Sequence, residues 1–334
     1  MTANEIFSAL KKKIYSPVYF FYGEEPFYID ELTAYIEQHV LDEASREFNQ
    51  SVVYGLDVSA RDIVDLSRRF PMMGNYQVVI VKEAQNIQNF DALLDYFEKP
   101  LDTTILVINY KYRKLDKRKA LYKRLNKSKK VTLFESSKVY DNKIPAWIAD
   151  RVRLMGHTIT PKSEMMLAEY LGTDLSRIAN ELNKLTLSLR PGEEITEDLI
   201  ERNIGISKDF NVFELQKALG KRDAFQALRI IQYFEANPKQ NPLQMVNVLL
   251  YSYFMKVLLF HQLKNESRNS IAAKLGISPF FVGDYQAAAQ NYSPAKLQSI
   301  MAGLRLLDLR SKGIGATDAA SFGPLKEWVL KVVS

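Results

Sequence analysis

The sequence predicts an α/β domain with a parallel sheet followed by all-α structure, and three observations carry that assignment. Continuous apolar runs alternate with helical patterns through the first 140 residues, the signature of strands covered on both faces. After Asp141 no such run recurs, and apolar residues return at helical spacing. The third observation is what two strand ends lack. Val78-Val79-Ile80-Val81 runs into Lys82-Glu83, where a nucleotide hydrolase places Asp-Glu to hold magnesium. An ammonium at that point cannot coordinate a cation. Val18-Tyr19-Phe20-Phe21-Tyr22 runs into Gly23-Glu24-Glu25-Pro26, where a phosphate-cradling loop belongs, and offers one glycine and two carboxylates that would repel phosphates. The single Gly-Lys pair, Gly220-Lys221, is followed by Arg222 and completes no such loop. These features describe a nucleotide-binding architecture whose nucleotide site has been lost, with no cofactor or metal expected.

In chain order, the strands are expected at Val18 to Tyr22, Ser51 to Tyr54 on an edge, Val78 to Lys82, Thr104 to Asn109 and Val131 to Phe134, with a helix from about Phe27. The first domain is expected to span 1–140. A helix around Pro145 to Met155 follows, then Ser163 to Leu171 and Leu175 to Leu187. In the last of these Leu175, Ile178, Leu182 and Leu185 form one apolar face. Arg190-Pro191-Gly192 ends it, and Thr196 is placed to cap the next helix, which closes a small helical domain, 141–206. A third domain, 207–334, reads as helical throughout: Val212 to Leu219, Ala224 to Glu235, Pro242 to Lys264, Ser267 to Leu275, Pro279 to Asn291, Pro294 to Ser311 and Ala319 to Val333. Leu243 to Leu263 is strongly apolar, but Gln244, Asn247, Lys256 and His261 interrupt it, which favours a buried bundle helix over a membrane span.

Composition sets further limits. A chain of 334 residues, 47% hydrophobic and 25% charged, can bury two or three cores and stay soluble. It has no uncharged apolar run of about 18 residues and no signal-peptide order at its start, so a cytoplasmic location with no membrane partner is expected. The absence of cysteine excludes disulfides, thiol nucleophiles and cysteine-ligated metals. His39, His157 and His261 are too scattered for a histidine metal cluster or triad. The net charge of +6 is unevenly spread: eleven lysines and arginines between Lys111 and Lys130 face one acid, Asp116. That density is an electrostatic footprint for a polyanion, although a solvated helix face would look similar.

Five strings recur in one order: Phe20-Phe21-Tyr22-Gly23-Glu24-Glu25-Pro26-Phe27, Pro71-Met72-Met73-Gly74, Lys114-Leu115-Asp116-Lys117-Arg118, Leu171-Gly172-Thr173-Asp174-Leu175-Ser176-Arg177-Ile178-Ala179-Asn180-Glu181-Leu182 and Phe210-Asn211-Val212-Phe213-Glu214-Leu215. Over the whole chain this order resembles the delta subunit family of bacterial DNA polymerase III, the clamp-opening subunit of the clamp loader. The resemblance implies an AAA+-like domain without a phosphate loop, a lid domain, and a collar that joins a five-subunit ring. It also implies partners: the beta sliding clamp, the gamma/tau and delta-prime subunits, and primed DNA. In keeping with that family, the chain lacks the Ser-Arg-Cys motif of the neighbouring subunits.

The segment expected to carry function is Arg69-Phe70-Pro71-Met72-Met73-Gly74. Pro71 disfavours helix at Phe70 and Gly74-Asn75 permits a turn, so large apolar side chains sit on a bend. Met and Phe so placed make an adaptable anchor for a partner's pocket, although they could instead pack under the following strand. By resemblance, Met72 and Met73 are the apolar pair that inserts beside an interface of the clamp, with Phe70 and Arg69 beside them. Burying the two methionines and part of Phe70 would contribute about 4 to 7 kcal/mol before ordering costs. A wedge that binds a distorted clamp better than a closed one shifts the ring toward its open form, with ATP on other subunits controlling its exposure. Lys111, Arg113, Lys117 and Arg118 are the expected contacts to the DNA backbone, with Tyr110 and Tyr112 able to stack on a base or to pack at the sheet margin. Arg177, which matches a lid position that senses the γ-phosphate in active relatives, is expected to pair with Glu181. Three other functions compete: a divergent ATPase, a free-standing nucleic-acid binder using 111–130, and a structural adaptor without clamp affinity.

Overall fold

The computed structural model describes every residue except Met73, Ala316, Thr317 and Ala319. The chain divides into two compact units, Met1–Val139 and Tyr140–Ser334.

Unit 1 is an α/β sandwich. In chain order it runs α1 (Ala3–Lys11), β1 (Val18–Gly23), α2 (Pro26–His39), α3 (Glu43–Asn49), β2 (Gln50–Tyr54), α4 (Ala60–Ser67), β3 (Gln77–Lys82), α5 (Leu94–Glu98), β4 (Thr104–Lys111), α6 (Ala120–Lys127) and β5 (Val131–Ser136). The sheet order is β2-β3-β4-β1-β5, with every neighbouring pair parallel. Alternation along each strand explains why both faces are apolar. Val18, Phe20 and Tyr22 of β1 join Val79, Val81, Leu106 and Ile108 in a core closed by Ile63 of α4, Phe97 of α5 and Leu125 of α6. Tyr19 and Phe21 point the other way, with Val78, Ile80, Ile105 and Val107, under Ile6 of α1 and Ile29, Leu32 and Ile36 of α2. All five expected strands are present, and Ser51 to Tyr54 does lie on an edge.

Unit 2 is helical. It runs α7 (Ile144–Leu154), β6 (Thr158–Ile159), α8 (Pro161–Leu171), α9 (Leu175–Thr186), β7 (Glu194–Ile195), α10 (Glu197–Ile204), α11 (Val212–Gly220), α12 (Ala224–Ala236), α13 (Leu243–Leu263), α14 (Arg268–Leu275), α15 (Val282–Asn291), α16 (Pro294–Ser311) and α17 (Gly323–Val333). The face predicted for α9 is buried: Leu175, Ile178, Leu182 and Leu185 are each within 1% of full burial. The 21-residue α13 is long and apolar enough to cross a membrane by length and composition alone. Here Val246, Leu250, Phe254 and Val257 lie in the same core as Leu219, Ile230, Leu304 and Val329, which makes it the central helix of the bundle.

Four details differ from expectation. Strand structure returns in β6 and β7, which pair in parallel over two residues each, too few for any periodicity. Thr196 holds the N-cap position of α10 without a side-chain cap bond, whereas Thr160 does cap α8, its Oγ1 accepting the Ser163 amide at 3.1 Å. The expected helix from Ala319 begins at Gly323, where Pro324 fits the first turn; Ala319 itself lies outside the described residues. Pro279 to Phe281 form a 3₁₀ turn ahead of α15.

Candidate functional site

A parallel sheet has two dissimilar ends, and in unit 1 each carries a different candidate. At the carboxyl end, ligands of open α/β sheets sit between neighbouring strands whose connections depart to opposite sides, which here are β1 and β4. Gly23 closes β1 at φ +141°, so near the Ser136 carbonyl that an added Cβ would lie 2.0 Å from its oxygen. The next residues fill the place where an anion would sit. The Glu25 carboxylate accepts the Phe27 amide at 3.1 Å, so α2 is capped by its own side chain, and Pro26 removes a further donor. Glu24 pairs with Lys114 at 2.8 Å. Lys82, at the carboxyl end of β3, pairs with Glu37 of α2 at 3.3 Å. At the turn after β1 the first helical turn is capped by its own carboxylate, and at the end of β3 the side chain is a lysine paired with a glutamate.

The predicted basic candidates lie at this same end, and most are already partnered. Lys111 is only 14% exposed at its side chain and forms an ion pair with Asp30. Lys117 lies 3.4 Å from Glu135, a carboxylate that also accepts from the Tyr22 hydroxyl at 3.0 Å. Burial first, and Glu135 second, push the Tyr22 phenol well above its ordinary value. Arg118 makes a two-pronged pair with Asp116 at 3.1 Å, and its guanidinium holds that carboxyl below its usual range. Arg113 is exposed, its backbone bridged to Gly23. Tyr110 packs at the sheet margin, stacked on Phe20 with ring centroids 6.3 Å apart and edge-on to Phe90, which leaves Tyr112 as the exposed ring.

The opposite end carries the apolar bend, in the loop between α4 and β3. Phe70 is 74% exposed and Met72 77% exposed, so packing under the strand does not occur for these two. Met73 lies outside the described residues. Arg69 is exposed beside them. The loop is held at both margins. At its start the Ser67 carbonyl accepts from the Tyr96 hydroxyl (3.0 Å) and the Thr104 hydroxyl (2.9 Å), and the Gln77 amide side chain donates to Leu66 O at 2.9 Å. At its crest the Met72 amide donates to Oδ1 of Asn49, a residue 2% exposed at the end of α3, at 2.7 Å. Gly74 turns the chain back at φ +81°, a left-handed conformation that glycine adopts without cost. Exposed apolar groups on a fixed bend cost free energy in water unless a partner covers them. Sequence reasoning missed Asn49, because a tether 23 residues away from its target leaves no local signal.

In unit 2 the expected Arg177–Glu181 pair does not form. Glu181 is taken by Lys184 at 2.7 Å, and the Arg177 guanidinium lies over the Tyr170 ring, 5.8 Å from its centroid. The Asp174 carboxylate caps this helix by accepting the Arg177 amide at 3.0 Å. Among the described residues no group of His, Asp or Glu is arranged to hold a metal ion.

Taken together, the sheet order, the self-capped turn after β1 and the helical unit that follows describe an AAA+-like fold. The sequence model of the DNA polymerase III delta subunit matches residues 19–136, and that of the same subunit's C-terminal domain matches 209–322. The chain belongs to the DNA polymerase III delta subunit family. It is 28% identical over 322 residues to DNA polymerase III subunit delta of Bacillus subtilis (strain 168), which spans 92% of this chain and 91% of that relative. The solved structure of the Bacillus subtilis DNA clamp loader delta protein superposes over 99% of both chains, with a TM-score of 0.56 and 26% identity.

Proposed function

We propose that this chain is the clamp-opening subunit of a DNA polymerase III clamp loader, and that it binds the beta sliding clamp through Phe70 and Met72, with Met73 and Arg69 completing the contact. The observation that carries the proposal is the exposure of two large apolar side chains on a loop fixed at both ends and at its crest. A pre-ordered wedge pays little conformational entropy on docking, so its buried area converts efficiently into affinity. If it fits a distorted clamp interface better than a closed one, that difference alone shifts the ring toward opening. No nucleotide turnover by this chain is required, in line with the self-capped turn at Glu25 and the Lys82–Glu37 pair. Gamma/tau and delta-prime subunits would supply the ATP-driven control, and the helical domains 141–206 and 207–334 would serve as lid and collar. Lys111, Arg113, Lys117 and Arg118 remain candidates for primed-DNA phosphates, although Lys111 would have to leave Asp30, Lys117 Glu135 and Arg118 Asp116.

Co-purification with the sliding clamp tests the proposal. The natural chain should retain the clamp, and a Phe70→Ala/Met72→Ala variant should release it while melting at the same temperature. Retention by that variant would remove the wedge from the mechanism. Tight magnesium-dependent ATP binding by the isolated chain would reinstate the divergent ATPase.

A further inference from the structure

The basic run from Lys111 to Lys130 is not one surface. Helix α6 carries the chain from the carboxyl end of the sheet back to its amino end, about 12 Å at 1.5 Å per residue, and divides the charges between the two. Lys111 to Arg118 stay at the end where β4 finishes. Lys123, Arg124, Lys127, Lys129 and Lys130 gather at the other end, where with Glu98 they line an open recess of about 540 Å³. Arg124 is shared between Asp95 and Glu98 at 3.5 Å each, and Lys130 is taken by Asp102 at 2.7 Å. Lys123, Lys127 and Lys129 are exposed and have no ion-pair partner among the described residues.

This recess lies at the same end of the sheet as the apolar bend. The bend leads into the first residue of β3, and the recess borders the starts of β4 and β5, strands that lie one and three spacings from β3, the farther about 14 Å away. Hydrogen bonds tie both to neighbouring residues of α5. The Ser67 carbonyl at the base of the bend receives Tyr96 and Thr104, and the Phe97 carbonyl receives the Ser128 hydroxyl at 3.3 Å. Both features are thus anchored to the same short helix.

Building on the clamp-binding proposal above, we propose that Lys123, Lys127 and Lys129 form an electrostatic second contact with the protein that takes Phe70 and Met72, and that this partner presents carboxylates beside its apolar pocket. A protein surface fits better than nucleic acid because the unpaired cations surround one recess rather than tracking a backbone. Charges at the rim of an apolar contact steer association and make it sensitive to salt.

The test is the affinity of the full chain for purified sliding clamp between about 50 mM and about 500 mM salt, a range over which screening shortens by roughly threefold. Natural chain and a Lys123→Ala/Lys127→Ala/Lys129→Ala variant are compared, with melting temperatures as the check on folding. The variant should bind about tenfold more weakly at low salt and converge with the natural chain at high salt. If it tracks the natural chain throughout while Met72→Ala weakens binding by about thirtyfold, the second contact is wrong and the wedge survives. If the natural chain shows no clamp affinity at any salt, the wedge proposal fails first and takes this one with it. Loss of primed-duplex binding with clamp affinity intact would assign the recess to nucleic acid and overturn the inference.

Discussion

At Gly23 a single methyl group decides whether the sheet can close. An alanine there would bring Cβ to 2.0 Å from a backbone carbonyl and would also hold a φ of +141°, so Gly23→Ala should cost more than about 3 kcal/mol in urea unfolding or abolish soluble expression. Met72 is the reverse case, since its side chain touches water in the free chain. Met72→Ala should leave the melting temperature within about a degree and weaken clamp binding by about thirtyfold, as truncation of an interface anchor does. The bend was legible in Pro71 and Gly74, because local backbone chemistry determines it. What partners each charge was not: Lys111 meets Asp30 from 81 positions away, and Glu181 lay within reach of both Arg177 and Lys184 on one helix. Spacing alone cannot choose between two cations on the same face.

Among elements, the strands of unit 1 were visible because each is buried on both faces and reads as an unbroken apolar run, whereas β6 and β7 rest on two residues apiece and on tertiary placement. Helix α6 was the costliest omission. Eleven basic residues read as one footprint until the helix is seen to cross the sheet and sort them to opposite ends. The connection between α3 and the bend makes a prediction at this scale. Asn49→Ala removes the acceptor of the Met72 amide and should cost about 1 to 2 kcal/mol of stability. It should also weaken clamp binding severalfold through loss of loop order, even though Asn49 is itself buried. Asn49→Asp keeps the acceptor and should recover part of the binding; calorimetry and a clamp titration read the two effects separately.

For the molecule as a whole, acidity offers a probe of unit 2. Glu169 of α8 borders a recess shared with Asp141, Gln216, Tyr253, Lys256 and Tyr285, and burial raises its carboxyl to about 7, with Lys256 and Gln216 acting in the opposite sense. A folded value above the unfolded one means that the proton is held more tightly in the native state. The corresponding stability is fully present below about 4.5 and is lost as pH rises through about 7. Glu169→Gln should flatten that decline and melt a few degrees higher at pH 8, measured by calorimetry across the interval. Unit 1 has its own large-scale property. Its strands are rods of five to eight residues, so the turn after β1 and the bend before β3 stand about 20 Å apart with a rigid core between them. Substitutions at the two ends should therefore sum without cross-talk in a double-mutant cycle. Either pole can be reshaped while the other keeps its form, as a handle is recut without touching the blade.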